Sequence, residues 1–171
     1  MPNWCYNRLT IDTTTEDGKK LSEAFKPKYQ DEGETELYAK PFQDLRPCPE
    51  DLEIVATSGN GLTPELKEKY EANIAKYGYS TWYDWRVANW GTKWDARVEE
   101  FNDTNPEQTY VYFETAWSPP TDFFKWFVDH HPKAYFRNEY DEEGMFFEGF
   151  TENSKKDGFV DECYEMEHKD D

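Results

Sequence analysis

The chain is poor in cysteine, in basic residues and in long apolar runs, and each shortage removes a class of protein. Its three cysteines, Cys5, Cys48 and Cys163, stand far apart with no C-x-x-C or Cys/His ligand spacing. That argues against a zinc site and against a disulfide framework. No apolar run approaches the roughly 18 residues of a membrane span, and the first residues lack the basic-then-apolar profile of a signal peptide. No membrane segment is expected, and a reducing cytoplasm is the expected compartment. Only 19 Lys and Arg stand against 37 Asp and Glu, a formal charge of −18. Attraction to phosphate backbones is then unfavourable, and direct nucleic-acid binding is not expected. Glycines are too scattered for a phosphate-cradling loop, and no G-x-S-x-G or EF-hand pattern occurs. Motifs therefore propose no catalytic residue, no cofactor and no metal.

What the chain has instead is aromatic residues. They make up 18% of 171 positions, with 36% hydrophobic and 33% charged residues overall. Much of the core must be built from Phe, Tyr and Trp, and a chain of this length buries about two-thirds of its unfolded surface as one domain. Four of the seven tryptophans fall between Trp82 and Asp95. There Trp82, Trp85, Trp90 and Trp94 lie beside Asp84, Arg86, Asn89, Lys93 and Asp95. Indoles offer wide apolar faces and one N–H donor each, so this segment is either an ordered packing insertion or a wall on which Arg86, Asn89 and Lys93 bind an anionic or planar group.

Periodicity outlines the rest. Cys5 to Asp12 alternates as a half-buried strand, with Leu9 and Ile11 on one face. Thr14 with Asp17 predicts a helix over about 15–26, stopped by Pro27. Residues 40–53, with Pro41, Pro47 and Pro49, predict a rigid extended loop anchored by Phe42, Leu45 and Leu52. Thr63-Pro64-Glu65 opens a helix over 64–77, with Leu66, Tyr70, Ile74 and Tyr77 at helical spacing. Thr109 to Trp117 reads as a strand with aromatic residues on both faces, which predicts that both are covered. Ser118-Pro119-Pro120 starts a helix whose Phe123, Phe124, Phe127 and Val128 should pack on the sheet, and Tyr135–Tyr140, Met145–Thr151 and Phe159–Glu165 read as an antiparallel meander. The pattern is an α+β ferredoxin-like sandwich: an antiparallel sheet with helices on one face, a single domain over 1–171, and a Trp-rich helical insertion at about 54–100.

Charge is uneven. Residues 139–171 hold 13 acidic and 3 basic side chains, a net −10, whereas residues 82–97 net +1. Glu142, Glu143, Glu148, Glu152, Asp161 and Glu162 are candidates for an acidic face, either a solvated surface that guards edge strands or a surface that imitates nucleic acid in a basic groove. His130 and His131 fall at a helix C-terminus, where the dipole accounts for them. Carboxylate pairs such as Asp141 with Glu142 or Glu143 are expected by chance in so acidic a chain.

Four stretches carry a likeness: Met1 to Leu9 (MPNWCYNRL), Leu45-Arg46-Pro47-Cys48-Pro49 with Leu52, Trp82 to Asp95, and Phe113 to Pro120 (FETAWSPP). Together they resemble the YubB-like ferredoxin-fold proteins carried by bacteriophages and plasmids, over residues 1 to about 150. The resemblance implies a ferredoxin-like domain encoded by a mobile element and working in the bacterial host cytoplasm, with no settled activity and no catalytic residues to carry over. Within it, Trp82, Tyr83, Asp84, Trp85, Arg86, Asn89, Trp90, Gly91, Thr92, Lys93 and Asp95 would bear any shared function. The leading expectation is an accessory protein that binds or inhibits a host defence or nucleic-acid-processing protein through its acidic face. The alternative is a small-molecule or nucleotide-binding protein, or enzyme, using the Trp82–Asp95 wall.

Overall fold

A computed structural model describes residues 2–54 and 63–167. Six strands form one antiparallel sheet in the order β2-β3-β1-β4-β5-β6. They are β1 (Trp4–Asp12), β2 (Arg97–Asn105), β3 (Gln108–Ala116), β4 (Phe136–Glu142), β5 (Phe147–Ser154) and β6 (Gly158–Glu165). Five helices accompany them: α1 (Glu16–Phe25), α2 (Pro41–Leu45), α3 (Pro64–Tyr77), α4 (Trp82–Asn89) and α5 (Thr121–His130). The first four strands with α1 and α5 are two interlocked split β-α-β units, the ferredoxin-like plan, and the β5–β6 hairpin widens that sheet beyond β4.

Alternation decides which face is covered. Cys5, Asn7, Leu9 and Ile11 of β1 and Val111, Phe113 and Thr115 of β3 are buried, while their in-between neighbours are half-buried. The apolar stripe of α5, Phe123, Phe124, Phe127 and Val128, packs onto the buried face with Leu21 and Phe25 of α1. Rings dominate the contacts, with Phe42 and Phe123 centroids 4.7 Å apart, Phe124 and Phe136 at 4.7 Å, and Phe25 and Phe113 at 5.1 Å. Each such pair adds about 0.5–1.5 kcal/mol beyond its buried area.

Several local expectations are corrected. The stretch 40–53 is not extended: it contains α2 and a 3₁₀ turn at Glu50–Leu52. Lys40 supplies no side-chain cap, but the Asp95 carboxylate accepts from the N–H groups of Phe42 and Gln43. A cap borrowed from more than fifty residues away leaves no local signature. Strand β2 was not anticipated, because a bulge between Val98 and Glu100 sets its two inward residues, Val98 and Phe101, three positions apart and breaks the period of two. The helix over 64–77 forms between its Thr63 cap and the left-handed Gly78; Leu66, Tyr70 and Tyr77 of its stripe are half-buried, Ile74 is 53% exposed, and Asn73 is its buried residue. Finally, among the described residues the β3 strand is covered by helices on one face only. Its other face carries Tyr110, Tyr112 and Glu114, half-buried among neighbouring strands.

Candidate functional site

The Trp82–Asp95 segment is divided: Trp85, Trp90 and Thr92 are buried, Trp82 is half-buried, and Tyr83, Val87 and Trp94 are exposed. Trp90 is 1% exposed, sets its ring edge-on to Trp85 at 5.8 Å, and donates its Nε1–H to the Arg46 carbonyl at 2.9 Å. The Arg86 guanidinium lies 4.8 Å from the Trp82 ring and 5.0 Å from the Trp90 ring, and pairs with Glu53 at 2.7 Å. Asn89 turns back to donate to the Trp85 carbonyl of its own helix. Lys93 is half-buried near Tyr83 and Trp94, and Trp94 leans on Trp4 at 6.2 Å. Asp84 is exposed in the first turn of α4. Asp95 is half-buried, and its carboxylate accepts three backbone N–H bonds, from Phe42, Gln43 and Ala96; loss of solvation pushes its carboxyl up to about 6 in spite of them. Among the described residues Arg86, Asn89 and Lys93 thus have separate partners: Glu53 and two indoles, the Trp85 carbonyl, and the Tyr83 and Trp94 rings. A tight join fixes the end of the segment: Gly91 has φ +85, and an added Cβ would stand 3.1 Å from both Pro119 O and Asp122 Oδ2.

The six acidic candidates separate. Glu142 is 1% exposed, and its carboxylate accepts from Gly144 N and Met145 N, tying the β4–β5 turn. Glu143 is exposed in that turn. Asp161 lies on the helix side of the sheet, accepting from the Thr151 and Tyr140 hydroxyls. Glu148, Glu152 and Glu162 remain on the opposite face, in register with Asp141, Arg137 and Phe150 respectively.

That opposite face is where polar, charged and aromatic side chains do gather. Successive strands place Tyr112, Arg8, Glu139, Phe150 and Glu162 in one cross-strand row, with Glu114, Tyr6, Asp141, Glu148 and Tyr164 in the next. Tyr6 and Tyr112 stack with centroids 6.5 Å apart. Arg8 pairs with Asp141 at 2.7 Å. Arg137 bonds Glu139 and Glu152 while its guanidinium lies 4.0 Å over Phe150. At the β2 side Arg97 reaches Glu99 and Glu114 and lies near Trp4. Burial, then the nearby Glu99, holds the Glu114 carboxyl above the ordinary range. A depression of about 240 Å³ opens between Arg8, Arg137, Glu139, Glu148, Phe150 and Tyr164. Arginine is thus inlaid among the carboxylates, and the face is mixed in character.

The sequence reading passed over Tyr6, Arg8, Tyr112, Arg137, Phe150 and Tyr164. Their signal is the period-two alternation of each strand, which marks a shared face but carries no motif. His130 closes α5 and contacts the Trp126 carbonyl, and His131 lies 3.6 Å from Asp17, as helix-end placement predicts. Among the described residues no group of three His, Cys, Asp or Glu side chains is arranged to hold a metal ion, and no helix is long and apolar enough to cross a membrane.

Residues 89–171 match the family model described as the ferredoxin-like domain in Api92-like protein. The matched stretch runs from the end of α4 through β6. Among solved structures, the crystal structure of a protein api92 from Yersinia pseudotuberculosis is similar over 98% of this chain and 99% of that one, at 13% identity and a TM-score of 0.49. No curated protein matches the chain.

Proposed function

We propose that this protein works by binding another protein through the open face of its sheet, as an accessory factor rather than an enzyme. The resemblance to bacteriophage- and plasmid-borne proteins makes a bacterial host protein, of the defence or nucleic-acid-processing kind, the partner to look for. The observation that carries this reading is the uncovered face itself. It brings tyrosines, a phenylalanine and ion-paired arginines together across β1, β3, β4, β5 and β6. Tyr and Arg are, with Trp, the residue types enriched in binding hot spots: Tyr buries a large area with few rotamers to lose, and Arg offers a planar fork of donors.

The carboxylates select the class of partner. An aromatic sheet face can stack the bases of single-stranded RNA. Here Glu114, Glu139, Asp141, Glu148, Glu152 and Glu162 outnumber Arg8, Arg97 and Arg137, so a phosphate backbone would be repelled. A protein surface carrying Lys and Arg, with apolar groups to meet the rings, fits instead. The small-molecule reading of the tryptophan segment receives no support from Arg86, Asn89 and Lys93, which have separate partners.

Affinity capture from bacterial lysate with the intact chain tests the proposal. The pair Tyr6→Ala and Tyr112→Ala, and separately Glu148→Lys with Glu162→Lys, should each reduce recovery of the captured protein at least tenfold, and raised salt should do the same. Retention by both variants, with loss on Arg86→Ala, would move the binding surface to the tryptophan segment and overturn it.

A further inference from the structure

We propose that the free edge of β6 is a strand-addition site for an extended segment of a partner protein rich in Lys and Arg. The two edges of this sheet are built differently. At the β2 edge the pairing register slips twice, between Val98 and Glu100 and between Asn102 and Asn105. Such bulges spoil an edge as a template for further strands. At the other edge β6 pairs with β5 through eight consecutive residues, Gly158 to Glu165, without a slip. No further strand pairs with it among the described residues.

The ladder fixes which groups are on offer. Met166 donates its N–H to the Phe146 carbonyl, one step beyond the Phe147–Glu165 pair. Residues of an antiparallel strand alternate in the side to which they bond, so Gly158, Val160, Glu162 and Tyr164 bond inward to β5. The N–H and C=O groups of Phe159, Asp161, Cys163 and Glu165 consequently point away from the sheet. Four evenly spaced donor and acceptor pairs are the template that strand addition uses.

Side-chain charge selects the occupant. Between Gly158 and Glu165 there are three carboxylates, Asp161, Glu162 and Glu165, and no Lys or Arg. Glu162 projects on the open face, whereas Asp161 and Glu165 project on the helix side. A second copy of β6 would bring these carboxylates against one another, since like charges directly opposite are destabilising. An incoming strand with cations on both of its faces would meet opposite charge on both. The site shares with the function proposed above only the premise of a protein partner, because the peptide bonds of β6 and not the rings of Tyr6 and Tyr112 make the contact.

The test uses the intact chain and an eight-residue peptide of valine and lysine, followed by fluorescence anisotropy and by amide hydrogen exchange. Binding should slow exchange at Phe159, Asp161, Cys163 and Glu165. N-methylation of alternate peptide bonds, which leaves the charge unchanged, should weaken binding at least tenfold, as should Glu162→Lys with Glu165→Lys. Cys163→Pro removes an outward N–H, which an edge strand tolerates, and should weaken binding equally. If that variant fails to fold, the methylated peptide on the unaltered chain decides the matter alone. Equal binding of the methylated peptide, slowed exchange in β2 instead, or a dimer of the chain alone by light scattering would overturn the inference. A peptide that fails at β6 while Tyr6→Ala with Tyr112→Ala still abolishes lysate capture would sink this inference and leave the open-face reading standing.

Discussion

At the scale of the residue, Asp95 shows how a polar side chain that looks like a ligand-binding group can be structural. It joins the α2 entrance to the start of β2 through three N–H bonds. Burial raises its carboxyl from the ordinary 3.8 to about 6. A group raised in this way holds its proton more tightly folded than unfolded, so its contribution to stability is full below about pH 4 and is lost as the pH rises through 6. Two units correspond to about 3 kcal/mol. In urea titrations the stability of Asp95→Asn relative to the unaltered chain should therefore improve by about 3 kcal/mol between pH 4 and pH 7, and a flat difference would refute the assignment. Arg86 makes the parallel case: its side chain is 18% exposed between two indoles and paired with Glu53. Arg86→Ala should cost about 3 kcal/mol by the same titration, and Arg86→Met less, because methionine keeps the packing. Residue types and spacing made both side chains stand out in the sequence. Their partners, Glu53 and the α2 backbone, were out of reach of any local pattern.

At the scale of the element, legibility followed the strength of local punctuation. Helix α3 was readable to its ends because Thr63, Pro64 and Gly78 mark them, and α5 because four apolar residues share a face. What the period could not give was depth. The spacing of Leu66, Tyr70, Ile74 and Tyr77 marks the helix but not its buried anchor, which is Asn73, whose amide donates to the Asp51 and Ser80 carbonyls at 3.1 Å each. Ile74→Ala should accordingly shift stability by less than about 0.5 kcal/mol, and Asn73→Ala should cost about 1–2 kcal/mol by leaving two acceptors bare. Thermal unfolding of the two variants side by side checks this, and the reverse order would show that Ile74 rather than Asn73 anchors the helix. Strand β2 stayed hidden for a related reason: its bulge displaces one inward side chain, and its polar remainder reads as loop.

At the scale of the whole molecule, the layered plan was legible and the arrangement of charge was not. Composition gave −18 and placed −10 in the last 33 residues, but pairing across strands dispersed those carboxylates over two faces, a turn and a buried site. Self-repulsion on this scale opposes the compact state, and salt screens it. The melting temperature should rise by several degrees between 20 mM and 500 mM sodium chloride, and a fall would mean that the arginine–carboxylate pairs outweigh the repulsion. Sheet order has a temporal side as well. Strand β1 lies between β3 and β4 and bonds to both, with partners such as Leu9 with Val111 and Leu9 with Asn138 separated by more than a hundred positions. During synthesis that strand leaves the ribosome long before either neighbour exists, so its Leu9 and Ile11 must be kept from other associations until residues near 140 emerge. Collapse of this sheet is consequently a late event, and one whose rate is set by closing long loops.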